Sequence, residues 1–149
     1  MTDDEFLADL LQLVSARSTA TSDFSETAFA SVVAEALVDS GAVPGFEPAF
    51  FVHRGMRVDG YAYTEDEATL DLFQVEYQGE PEVKSLTKTT LDTCLKRAET
   101  FFLRAVDGDL SHEVDVGSSI WSLARQLVQI GHSVVRIRLN ILSDSKLSS

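Results

Sequence analysis

Three polar side chains near the middle of the chain have the types and spacing for metal-assisted chemistry. Asp59 stands before Gly60, and fifteen residues later Gln74 and Glu76 bracket Val75. If the two segments are neighbouring strands, Gln74 and Glu76 leave the sheet on one face, because side chains alternate with a period of two. Asp59 then lies across from them. Hard cations such as Mg2+ or Mn2+ take oxygen ligands, carboxylates above all. An ion held there would activate water and stabilise a phosphoryl oxyanion. The same residues also fit a solvated strand end beside a small neighbour, with no site at all.

The elements that must position these groups are readable from hydropathy. Residues 5–16 read as a helix with Phe6, Leu7, Leu10, Leu11 and Val14 on one face. Ser18–Ser22 reads as a polar break, and Ser22 or Asp23 as the cap of a second helix that runs to about Ser40. Strand-like segments follow at Phe46–Arg54, Arg57–Tyr63 and Thr69–Tyr77, and Pro48 gives the first of them an edge position or an irregular start. In the second, Val58, Gly60 and Ala62 alternate with Arg57, Asp59, Tyr61 and Tyr63. In the third, Leu70, Leu72, Gln74 and Glu76 alternate with Asp71, Phe73, Val75 and Tyr77. The polar turn between them makes a hairpin.

After a polar loop over Gln78–Leu86, a helix over Thr87–Val106 has a core face of Leu91, Leu95, Ala98, Phe102 and Ala105, with Cys94 and Phe101 beside it. Asp109–Val116 is a loop or short turn, Ser118–Ile130 a fourth helix, and Val134–Leu142 a last strand with Arg136, Arg138 and Asn140 on one face. Ser143–Ser149 is a polar tail. The order α-α-β-β-β-α-α-β predicts one α/β (α+β) domain over residues 1–149, a mixed sheet flanked by helices.

Composition narrows the function. With 149 residues and a formal charge of −12, the chain is acidic overall, but unevenly so. Residues 1–44 and 45–82 carry −7 each, residues 83–116 carry −1, and residues 117–149 carry +3. A phosphate-binding footprint is basic, so any contact with nucleic acid falls to Lys84, Lys88, Arg136 and Arg138 or to another domain. A single cysteine, Cys94, excludes an internal disulfide and a CxxC zinc site. The acidic start (Asp3, Asp4, Glu5, Asp9) is unlike a secretory leader. No apolar run approaches the ~20 residues of a membrane helix, so a cytoplasmic domain without membrane contact is expected. His53, His112 and His132 form no HExxH pair, and the glycines form no phosphate loop.

The element order, with Asp-Gly on the second strand and Gln-x-Glu on the third, resembles the restriction-endonuclease-like PD-(D/E)xK nuclease fold. More narrowly, RVDGYAYTEDEATLDLFQVEY (residues 57–77) and LKRAETFFLRAVDG (residues 95–108) are similar to the N-terminal region of abortive infection phage resistance proteins of the AIPR type. There an Asp-Gly and an acidic turn precede a strand such as L-x-L-F-Q-x-K-Y. The resemblance implies a bacterial phage-defence protein longer than this domain, with the C-terminal region of the same protein as one partner. Nucleic acid and a homo-oligomer are other partners it allows.

It also implies roles. Asp59 takes the place of the metal-binding Asp, Gln74 that of a second ligand, and Glu76 that of the catalytic Lys. Glu in place of Lys reverses the charge beside the scissile phosphate, which is strongly unfavourable in the transition state. Two rescues are open: Glu76 as a metal ligand with Asp59, or Lys84 or Lys88 moving into the lysine's role. Nucleases of this fold often add an acid from the helix before the sheet. Glu26 and Glu35 are candidates, and Glu35 borders the apolar stripe, which gives Asp59, Glu76 and Glu35 as the expected Mg2+ or Mn2+ set. Three functions follow: a degenerate nuclease-like domain without cleavage, an active metal-dependent phosphodiesterase acting on DNA or RNA, or an acidic protein-interaction module.

Overall fold

The computed structural model describes residues 2–21, 25–80 and 82–147. In chain order these form α1 (Asp3–Thr21), α2 (Ser25–Asp39), β1 (Glu47–His53), β2 (Met56–Thr64), β3 (Thr69–Glu76), β4 (Ser85–Leu86), α3 (Lys88–Val106), α4 (Asp109–Glu113), α5 (Ser119–Ile130), β5 (Arg136–Ser143) and β6 (Lys146–Leu147). A 3-10 turn, Gly131–Ser133, joins α5 to β5. The main sheet has the order β1-β2-β3-β5, and β4 and β6 make a small parallel pair of their own. β1, β2 and β3 are a meander of antiparallel hairpins, and β5 returns parallel to β3. The chain is thus a mixed sheet flanked by helices, as its hydropathy predicts.

Each face of the sheet carries its own core. On one side Met56, Val58, Leu70 and Leu72 meet Ala98, Phe101 and Ala105 of α3 and Ile120, Leu123 and Leu127 of α5. On the other, Ala62, Phe73 and Val75 meet Ala28, Phe29, Ala30 and Ala34 of α2 and Val14 of α1. β3 alternates cleanly between the two, as a strand buried on both faces must. Burying its aromatic and aliphatic side chains contributes roughly 1.5–3 kcal/mol each. Thr87 caps α3 by accepting the amide of Thr90.

Four sequence expectations are corrected. α1 does not end near Ala16 but continues through Arg17 to Thr21, because its packing on α2 outweighs the weak helix preference of Ser and Thr. The proposed caps Ser22 and Asp23 lie outside the described residues. The buried stripe of α3 is Cys94, Ala98, Phe101 and Ala105, and Leu95 is exposed. Small residues there let the helix approach the sheet closely. β2 does not alternate simply, since Val58 belongs to one core and Ala62 to the other. The tail is not wholly irregular either, because Lys146–Leu147 pairs with β4.

Candidate functional site

The sheet is irregular at one place, and Asp59 stands there. Toward β1, the register runs Pro48 opposite Gly60 and then Phe51 opposite Val58, so Ala49 and Phe50 together face Asp59 as a β-bulge. Toward β3, the antiparallel ladder stops at Gly60 opposite Phe73. On its far side β3 stays paired with β5 as far as Glu76 opposite Ser143. The end of β3 is therefore held from one side only. The open amide of Val75 donates instead to Oδ2 of Asp59, at 2.9 Å. Gly60 is required here: a Cβ at that position would collide with the ring of Phe46, which lies over the strand edge-on to Phe73.

Arg57, two residues before Asp59 on β2, closes the site. Its Nε donates to Asp59 Oδ2 at 2.9 Å and its Nη2 to Oδ1 at 3.2 Å. Nη2 also donates to Glu26, in the first turn of α2. Asp59 is 8% exposed, so both its oxygens are engaged away from bulk water. Burial works against the Arg57 charge, but the hydrogen bonds and charges of Asp59 and then Glu26 outweigh it and hold the guanidinium above its ordinary pKa. One cation thus bridges two carboxylates brought from different elements. The i, i+2 spacing of Arg57 and Asp59 was the sequence signal for this clamp.

Gln74 and Glu76 face α3. The Gln74 amide donates to the Cys94 carbonyl at 2.9 Å, and its Oε1 is buried without a hydrogen-bond partner. The Cys94 thiol lies 3.4 Å from Glu76 Oε1 as a donor. Burial first, and then the Glu76 carboxylate, push this thiol up to about 11.

The other expected site residues have separate engagements. Glu35 is paired with Arg17 through two contacts of 2.9 and 3.0 Å, which lowers its pKa through the hydrogen bond and then the charge of Arg17. The longer α1 is what presents Arg17 to it. Of the two helix acids it is Glu26, not Glu35, that α2 brings to Asp59. Arg138 is spent on the buried Asp71, with bonds of 2.9 and 3.0 Å, and Asn140 joins them at 3.1 Å. Arg136 lies exposed at the start of β5 and Lys88 at the start of α3. Lys84 sits 3.4 Å from Glu80 and 3.8 Å from Glu82.

As a divalent-metal seat the residues have one feature in favour and several against. The orphaned oxygen of Gln74 is the kind of acceptor a cation satisfies. Against this, both oxygens of Asp59 are taken by Arg57 and Val75, and Glu35 is held by Arg17. Among the described residues no group of three or more His, Cys, Asp and Glu side chains is gathered closely enough to hold a metal ion. As arranged, the set does not fit Mg2+ or Mn2+. Among the described residues, no helix is long and apolar enough to cross a membrane.

Comparison with known proteins gives one match. The family model described as the abortive infection phage resistance protein N-terminal domain covers residues 29–149. The match takes in the whole sheet, Arg57, Asp59, Gln74 and Glu76, while α1 and Glu26 precede it. No curated protein and no solved structure matches the chain.

Proposed function

Since this chain belongs to the family of abortive infection phage resistance protein N-terminal domains, we propose that it serves phage defence as a nuclease-like domain whose cleavage centre is disarmed. The observation that carries this reading is the Arg57 guanidinium bound between Glu26 and Asp59. In a metal-dependent nuclease, acids from a strand and a preceding helix converge on a divalent cation. Here comparable acids converge on a cation of the protein's own. The position expected for the catalytic lysine holds Glu76, turned to the Cys94 thiol. A carboxylate there repels the charge that builds on a phosphoryl oxygen. In this role the domain is a folded platform, and Asp59 serves it by capping the free end of β3.

The test is incubation of the purified chain with Mg2+ or Mn2+ and single-stranded DNA, duplex DNA and RNA. No cleavage is expected from the wild type. Glu76→Lys combined with Arg57→Gln should gain measurable nicking if the nuclease frame is intact. Wild-type cleavage that Asp59→Ala abolishes would overturn the reading and make the domain an active phosphodiesterase.

A further inference from the structure

The edge of the sheet beside this site has features that neither a nuclease frame nor a solvated surface explains. β1 is paired with β2 on one side, and among the described residues no strand pairs with its other side. Natural proteins blunt such edges with charge, proline or a bulge, and Pro48 and the bulge guard the first half of β1. Even so, Phe50 and Val52 are 64% and 57% exposed. Phe50 belongs to the bulge and stands between two clefts. One, of about 360 Å3, runs along the α2 side and is lined by Ala30, Phe46, Pro48 and Phe50, with Glu26 and Asp59 also on its lining. The other, of about 240 Å3, lies toward α4 and α5 and is lined by Phe50, Phe51, Val114 and Ile120, with Glu113 and Asp115 on its wall.

We propose that the β1 edge is a docking strand for an extended segment of a partner protein in which apolar residues alternate with basic ones. An added strand gains affinity from main-chain hydrogen bonds and specificity from pockets that take alternate side chains. The two clefts lie on opposite faces of the sheet, so the alternating strand would turn its apolar side chains into the cleft of Ala30, Phe46 and Pro48 and its basic ones toward the Glu113 and Asp115 wall. Pro48 has no amide to donate, so the ladder would run along Ala49–His53. Charge selects the occupant. Glu26 and Asp59 line one cleft, Glu113 and Asp115 the other, and Glu47 lies on β1, against Arg54 in the β1–β2 turn, Arg57 and Arg104. Arg57 is already bound to Glu26 and Asp59, and Arg104 to Glu113 at 2.7 Å. The excess is negative and favours Lys or Arg on the incoming strand. A second copy is disfavoured, because each copy carries −12 and would bring the same acids to the contact.

The experiment titrates the full chain with labelled peptides of about eight residues, the length of an ordinary strand. One alternates Val with Lys, one alternates Val with Glu, and one is a scramble of the first. Binding is read by fluorescence anisotropy and mapped by amide NMR. The Val/Lys peptide should bind saturably and in preference to both others, with shifts confined to the β1 edge and the linings of the two clefts, residues 26–31, 46–59 and 113–120. Phe50→Lys and Val52→Lys should each weaken it about tenfold or more without moving the melting temperature. Equal binding of the Val/Glu peptide, shifts elsewhere, indifference to both variants, or no binding would overturn the proposal. So would self-association in sedimentation that Phe50→Lys abolishes, which would give the edge to a second copy. Cleavage activity plays no part in these readouts, so failure here and failure of the nuclease-like reading are separable.

Discussion

Two aspartates on adjacent strands of the same sheet each hold an arginine, and their differences separate frame from site. Asp71 sits inside an unbroken sheet, opposite Ala62 on β2 and Arg138 on β5. It is 0% exposed, its charge is matched one to one by Arg138, and Asn140 satisfies what remains. Asp59 sits where the ladder fails on both sides, shares a single guanidinium with Glu26, and takes up a stray backbone amide. The first arrangement pairs one buried acid with one cation, and Arg138 itself reaches the surface, 41% exposed. The second has two acids for one cation and lies beside an open cleft. A buried aspartate–arginine pair by itself therefore says little about function. The stoichiometry of charge and the state of the surrounding ladder say more.

The largest effect should come from breaking the Asp71–Arg138 pair, because its acid is fully buried. Arg138→Ala leaves Asp71 buried with only Asn140 to donate to its side chain. Removing one partner of a fully buried pair costs about 3–5 kcal/mol; Arg138 is 41% exposed, so solvent screening trims this to roughly 2–4 kcal/mol, and the urea midpoint should still fall because Asp71 stays buried. Arg57→Gln should cost less, about 1–3 kcal/mol, because Asp59 keeps the Val75 amide and Glu26 turns to water. It also leaves two carboxylates without their cation. Mn2+ should then raise the melting temperature of Arg57→Gln but not that of the wild type or Arg138→Ala. Equal losses of stability, or no response to Mn2+, would erase the distinction between the two aspartates.

What the sequence makes legible follows from the range of the interactions involved. The alternation of β3, the β2–β3 hairpin and the helix order depend on local periodicity, and all are visible in the chain. Asp59, Gln74 and Glu76 stand out by type and spacing. The bulge opposite Asp59 does not, because it arises from two strands disagreeing in register, and neither strand shows it alone. In α3, the sets Leu91, Leu95, Ala98, Phe102, Ala105 and Cys94, Ala98, Phe101, Ala105 both satisfy helical spacing. Only the sheet decides which one turns inward. The choice between Glu26 and Glu35 was likewise settled by where α1 ends, since Arg17 reaches Glu35 only from a continued helix.

The smallest effect lies on the α3 side of the same site and separates it from Asp71 by pH. The Cys94 thiol has an ordinary value of 9.0 and is pushed up to about 11 in the folded chain, first by burial and then by Glu76. A folded-state pKa above the unfolded one means that the native state holds the proton more tightly. That contribution is complete below pH 9, and it is lost as the pH rises through 9 toward 11. The urea midpoint of the wild type should therefore decline over this window. Cys94→Ala starts lower for want of packing and should decline less over the same range. Parallel slopes for the two proteins would mean that the thiol titrates alike in both states and that Glu76 exerts no hold on it. The carboxylate at the place of the catalytic lysine would then be free to turn toward Asp59.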